Sequence, residues 1–223
     1  MSNTDVEREK QVAAEASVSY VKDGMLLGLG TGSTVEFLLP ALAKANLSLT
    51  CVSTSPRTED LARSLGIEVV SFAGTSAPSR LDLAIDGADQ VDPAGWLVKG
   101  GGAAHTREKR VAAAAAEFVV IVSGNKIVEA ITPPIPLELL EYGLAATLAD
   151  LRELGEVRLR DVPRSPDGGI IADYFGPTNN LPELAQAFAN LPGVVEHGLF
   201  EPALVSTVVV ARGEDVEHIT ITH

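Results

Sequence analysis

A carboxylate nine residues after a lysine, with three glycines between them, is a set that can move a proton beside a carbonyl. The stretch is KGGGAAHTREK, from Lys99 to Lys109. Glycine gives up more conformational freedom on folding than any other residue, so three in a row need a reason. They let the chain double back with its N–H groups bare. Read for chemistry, Glu108 is a general base facing a reactive carbon. Lys99 and the N–H groups of Gly100, Gly101 and Gly102 then hold a developing oxyanion. Read for structure alone, Glu108 sits in the first turn of a helix and complements its dipole. TREK is not a capping box from Thr106, because Glu108 is only two positions on.

Two other stretches carry polar groups on tight turns. In GLGTGST (Gly28 to Thr34) glycines free backbone N–H groups to face an anion, and the following helix offers its positive end. Gly32 bares the chain, and Thr31, Ser33 and Thr34 add hydroxyl donors. The alternative is a strand-to-helix turn with a Ser or Thr N-cap. No lysine precedes Ser33, so this is not a Walker loop. Ser33 also stands where a dinucleotide fingerprint needs its third glycine. DGAD places Asp86 and Asp89 on one turn around Gly87 and Ala88. Such a pair can share hydrogen bonds with sugar hydroxyls, or push one carboxyl pKa up. It also suits a plain Asx turn. A metal site is disfavoured, since no histidine lies nearby in sequence.

These turns need strands behind them. Glu7 to Val21 has helical spacing, with Val12, Ala13, Ala16 and Tyr20 on one side. Met25 to Gly30 reads as a short buried strand, and residues 35–45 as a helix that Pro40 kinks or starts late. Strands follow at 47–55 and 67–72, strands running into turns or loops at 81–89, 95–102 and 118–126, and helices at 57–66 and 106–118. The alanine run Ala112 to Ala116 reads as helix filler. Alternating strands and helices with continuous apolar strands predict an α/β fold: a Rossmann-like parallel sheet with helices on both faces. In such a sheet the polar residues just past each strand share one rim. That rim collects Thr31 to Thr34, Asp86, Asp89, Lys99 and Lys126.

From Thr132 the texture changes. After the stiff segment TPPIP, the order becomes β-α-β-β-α-β, a ferredoxin-like α+β unit. Two final strands return to the first sheet. The expected organisation is a Rossmann-like catalytic domain over residues 1–131 and 204–223, with a ferredoxin-like domain inserted at 132–203.

The 223 residues are 46% hydrophobic but only 4% aromatic, so the core must be Ala, Val, Leu and Ile. No apolar run is long enough to span a membrane, and the polar start lacks the pattern of a signal peptide. A net charge of −13 makes nucleic acid and anionic membrane poor partners. An anionic ligand therefore needs positive potential built locally. The one cysteine, Cys51, excludes an internal disulfide and fits a reducing cytoplasm. It lies in a strand with no base beside it, which suits a core thiol and not a nucleophile.

GLGTGST, DGAD, KGGGAA–TREK and the later SGNK, in this order and at these distances, resemble the type A ribose-5-phosphate isomerases. The resemblance runs nearly the whole chain and includes PLELL and LPGVVEHGLF at the two ends of the insert. It implies reversible conversion of D-ribose 5-phosphate to D-ribulose 5-phosphate, in the pentose phosphate pathway, with no metal or organic cofactor. By the same resemblance Glu108 is the proton acceptor and Asp86 helps to open the furanose ring. Asp89 and Lys99 bind sugar oxygens and stabilise an enediolate. Thr31, Gly32, Ser33 and Thr34 take the phosphate with Lys126 and Lys10, and a homodimer or homotetramer is expected. His105 departs from the family pattern, which has an apolar residue there. It reads as a tolerated surface or supporting change, or as a charge acting on Glu108. A sugar-phosphate sensor would need a DNA-binding domain before the first strand, where only about twenty residues stand. An amino-sugar deaminase or lactonase would want a histidine in the site.

Overall fold

The computed structural model describes residues 3–222. Met1, Ser2 and His223, the outer ends of the expected first domain, lie outside the described residues. Helix α1 (Asn3–Ser17) buries Val12 and Ala13, as its spacing predicts, together with Ala14 and Glu9, whereas Ala16 is half-buried and Tyr20 lies past the helix end in the short turn Val18–Tyr20. Strand β1 (Leu26–Leu29) leads into α2 (Ser33–Lys44). That helix does not start late. Pro40 lies inside it, and the burial of Val35, Leu38, Leu39 and Leu42 outweighs the backbone bond proline removes. Strand β2 (Thr50–Ser53) precedes α3 (Pro56–Ser64). Here Ser55 caps the Thr58 N–H, Pro56 supplies the preset first turn, and Gly66 follows with positive φ. Then come β3 (Glu68–Val69), β4 (Leu81–Asp86), β5 (Gln90–Val91), β6 (Leu97–Val98), α4 (His105–Ala114) and β7 (Ala115–Ser123).

The alanine run is not all helix. Helix α4 ends at Ala114, and Ala115 already pairs with Leu81 in a parallel ladder. Intrinsic propensity favours helix here, but long-range pairing on β4 overrides it. The chain continues through β8 (Ile135–Leu139), α5 (Leu144–Leu154), β9 (Val157–Leu159), β10 (Ile170–Tyr174), α6 (Leu181–Asn190), β11 (Val194–His197) and β12 (Leu199–Phe200). It ends with β13 (Thr207–Arg212) and β14 (Asp215–Thr220).

Two compact units result. The first comprises Met1–Ala88, Arg107–Ile127 and Pro202–His223. Its sheet has the order β14-β13-β7-β4-β1-β2-β3. All neighbours are parallel except β14, which pairs antiparallel to β13. Leu27, Leu29, Leu83, Ile85, Val119, Ile121 and Val209 form its core with Leu38, Leu39 and Leu42 of α2. Chain order runs outward in opposite directions from β1 and β4, so their carboxyl ends form the topological switch point of a doubly wound sheet.

The second unit comprises Asp89–Thr106 and Val128–Glu201. Its four-stranded antiparallel sheet, β11-β8-β10-β9, carries α5 and α6 in the split β-α-β-β-α-β order. Ile135, Leu137, Leu139, Leu151, Tyr174 and Phe188 make its core. Strands β5 and β6 do not extend the parallel sheet as expected. They form a separate antiparallel sheet with β12, in which Leu97 pairs with Phe200 and Val98 with Leu199. That pairing ties the KGGG segment to the far end of the insert.

Candidate active site

In the first unit, the loop after β1 meets the end of β4. Gly30 has no side chain because Asp86 occupies that space. A Cβ there would stand 1.9 Å from the Asp86 Cγ. The close approach lets the Thr31 N–H donate to Asp86 Oδ1 at 3.0 Å, and the Gly87 N–H donate to the same oxygen at 2.7 Å. Asp86 is thus 3% exposed and fixed at the switch point. Thr31 and Thr54 join hydroxyls at 2.7 Å, so the β1 and β2 loops are tied together. Gly87 lies beside Thr34, and Ala88 is buried.

The N-cap of α2 is Gly32, at φ +122°, and no side chain caps the helix. The Ser or Thr cap offered by the sequence is not used. Gly32 and Ser33 are exposed, with Thr31 and Thr34 half-buried beside them. The loop therefore keeps hydroxyls and the positive end of α2 at the surface, an arrangement suited to an anion.

Glu108 lies in the first turn of α4 and is 4% exposed. Helix α4 packs tightly on β1, because a Cβ at Gly28 would meet Val111 at 2.4 Å. Val111 is three residues, close to one full turn, beyond Glu108, so this contact sets the height of the carboxylate-bearing helix on the sheet.

The two candidate phosphate lysines lie on elements joined by a residue the sequence reading passed over. Lys126 ends the short turn Gly124–Lys126, and Lys10 is on α1, where it pairs with Glu7. Glu9, 1% exposed, accepts from the Gly124 N–H and the Gly213 N–H, each at 3.0 Å. It fastens the Lys126 turn to the helix that carries Lys10. The signal was present: Glu9 is three and four residues before Val12 and Ala13, an acid in register with an apolar stripe.

In the second unit, Asp89 and the glycine loop meet directly. The Gly101 N–H donates to Asp89 Oδ2 at 2.8 Å. Gly100 has φ +103°, and a Cβ on it would lie 2.6 Å from the His105 ring. His105 is therefore no surface change: it is fully buried and packs on the glycine loop. Lys99, 2% exposed, donates its N–H to Gly198 and holds its ammonium 5.5 Å from the centre of the Phe200 ring. Gly101 and Gly102 are exposed. Ala103 takes the left-handed conformation at φ +59°, a strain of about 1–2 kcal/mol that closes the turn. Glu138, buried on β8, accepts from the hydroxyls of Thr106 and Ser165 and so anchors the residue two before Glu108.

Among the described residues, no three His, Cys, Asp or Glu side chains form a metal-ligand set, and no helix is long and apolar enough to cross a membrane. Cys51 is fully buried in β2. Burial, with the negative charge of Glu68 added, pushes its thiol pKa up to about 12.

Residues 50–215 match the family pattern of ribose 5-phosphate isomerase A (phosphoriboisomerase A). The chain is 43% identical over 215 residues to ribose-5-phosphate isomerase A of Thermosynechococcus vestitus, across 90% of each chain. Among solved structures, ribose 5 phosphate isomerase A from Neisseria gonorrhoeae superposes with a TM-score of 0.91 at 31% identity, over 97% of this chain and 98% of that one. The enzyme from Methanocaldococcus jannaschii gives 0.88 at 34% identity, over 98% and 100%. Sequence and fold agree along essentially the whole length, and the chain belongs to the ribose 5-phosphate isomerase A family.

Proposed function

We propose that Glu108 carries the proton in the reaction of this enzyme, an isomerase interconverting D-ribose 5-phosphate and D-ribulose 5-phosphate. Asp86 assists opening of the furanose ring. Glu108 then takes the proton from C2 of the open aldose. The electrons of the broken C–H bond form the C1–C2 double bond, and the C1 carbonyl becomes an enediolate oxygen. Lys99, Asp89 and the N–H groups of Gly100 to Gly102 bind the sugar oxygens and oppose the developing charge. The O2 proton passes to O1, Glu108 returns its proton to C1, and the C1–C2 double bond gives way to the ketone at C2, leaving a hydroxyl on C1. Thr31, Gly32, Ser33 and Thr34 bind the phosphate with Lys126 and Lys10, while Gly87 and Ala88 shape the turn beside the sugar.

The observation that carries this reading is the family match over residues 50–215, which spans Asp86, Asp89, Lys99, Glu108 and Lys126. The burial of Glu108, Asp86 and Lys99 supports it, because charges held away from water act strongly on a reacting group. The reaction is proton transfer and needs no metal or organic cofactor. The enzyme works as a homodimer or homotetramer in the cytoplasm, where a single buried thiol stays reduced.

The test is incubation with ribose 5-phosphate in deuterated buffer containing a chelator. Ketose that carries deuterium at C1 is expected. No ketose under these conditions would overturn the reading.

A further inference from the structure

The glycine loop of the proposed site is held on its carbonyl face by one side chain. Arg160, at the end of the β9 segment, donates from Nη1 to the carbonyls of Gly100 and Gly101, at 3.0 and 3.2 Å. Its other face is gripped by Asp173 of β10. Nε donates to Asp173 Oδ2 at 2.9 Å, and Nη2 donates to Oδ1. Both side chains are mostly buried. A bidentate carboxylate fixes the plane of the guanidinium, so the position of its third nitrogen is fixed as well.

In a trans peptide the carbonyl and the N–H point in opposite directions. With the Gly100 carbonyl on Arg160, the Gly101 N–H must point away, and it does so onto Asp89 Oδ2. With the Gly101 carbonyl also on Arg160, the Gly102 N–H points to that same far side. Three glycines have no preference of their own for this arrangement. The Ala103 N–H closes a turn on the Gly100 carbonyl at 3.0 Å, and the cation on both carbonyls completes the selection and polarises both amides so that their N–H groups are stronger donors.

We propose that Arg160, clamped by Asp173, is a positioning residue for the isomerisation: it aims the Gly101 and Gly102 N–H groups and, through the first of them, Asp89. The proposal rests on the reading above that this loop and Asp89 bind the sugar oxygens. Lysine cannot replace the arginine, since one ammonium does not hold a carboxylate in a fork and two carbonyls at once.

The experiment compares wild type with Arg160→Ala, Arg160→Lys and Asp173→Asn, and runs Glu108→Gln in parallel. Turnover, inhibition by inorganic phosphate, thermal melting and rescue by millimolar guanidinium are measured. Misplacing site groups by about 1 Å costs on the order of 10²-fold, so kcat of Arg160→Ala should fall by roughly 10- to 100-fold. Inhibition by phosphate should stay unchanged, and added guanidinium should restore part of the lost rate. Arg160→Lys should recover little. Should Arg160→Ala not fold, Arg160→Lys and Asp173→Asn carry the test: wild-type kcat in either folded protein overturns the proposal. Folded Arg160→Ala with wild-type kcat overturns it too, as does phosphate inhibition weakening in step with kcat, or a lost rate that guanidinium does not restore. If Glu108→Gln loses turnover in that experiment, the failure belongs to the clamp alone. If Glu108→Gln keeps turnover, the underlying reading fails.

Discussion

Gly30→Ala should cripple catalysis while leaving a folded protein. The new Cβ would stand 1.9 Å from Asp86 Cγ, 2.0 Å from Oδ1 and 2.5 Å from Asp86 Cβ. Carbon atoms pack at about 3.5 Å or more, so the carboxylate must retreat by roughly 1.5 Å. It then gives up the N–H groups of Thr31 and Gly87, now at 3.0 and 2.7 Å. Overpacking of this kind costs about 1–3 kcal/mol. A total loss near 3 kcal/mol lowers Tm by roughly 6–12 °C in a chain of this size. It leaves a folded majority if the stability is of ordinary size, about 5–15 kcal/mol. The effect on rate is larger. If Asp86 touches the sugar as proposed, a displacement above 1 Å costs on the order of 10²-fold or more in kcat. The assay is steady-state turnover of ribose 5-phosphate at 25 °C on protein whose melting curve shows it folded. Wild-type kcat in folded Gly30→Ala would refute the argument that this glycine exists to seat Asp86.

Glu9→Gln keeps the size of the side chain but turns an NH2 group toward one of the two backbone N–H groups it now accepts. KM for the sugar phosphate should rise several-fold through the Lys126 turn, with kcat less affected, and Lys126→Ala should raise KM further; an unchanged KM in both removes that turn from phosphate binding. The Cys51 thiol should resist a thiol reagent at pH 8 in the native protein and react fully once unfolded. Its folded pKa of about 12 lies above the unfolded value of about 8.5, so the protonated thiol is favoured by folding. That stability is fully present below about pH 8.5 and is lost as pH rises toward 12. The slope is about 1.4 kcal/mol per pH unit, read as the wild-type minus Cys51→Ala difference in denaturant melts. A difference that does not change between pH 8 and 10.5 contradicts it.

Much of the fold was legible because the apolar strands of the parallel sheet are continuous runs and their turns are glycine-rich. MLLGLG, LDLAID and FVVIVS announce β1, β4 and β7 without help from tertiary context. The insert was legible from its order of elements. What local sequence could not show was decided by distant partners. Ala115 and Ala116 have every helical preference, yet pairing on β4 draws that segment into a strand. Leu97 and Val98 look like another parallel strand, but they pair with Leu199 and Phe200, a hundred residues on. His105 looks like a surface change because nothing local says that Gly100 leaves room for its ring. The site followed the same division. Asp86, Asp89, Lys99 and Glu108 stand in short motifs and can be named from them. Arg160 and Asp173 meet only through the β9–β10 ladder, so no motif marks them.

The central claim is that the Glu108 carboxylate carries the proton. It is tested by turnover of Glu108→Gln, with inhibition by inorganic phosphate measured on the same protein. Loss of a general base predicts a fall of about 10²–10⁴-fold in kcat with phosphate inhibition intact. A folded Glu108→Gln that turns over ribose 5-phosphate at close to the wild-type rate would contradict it.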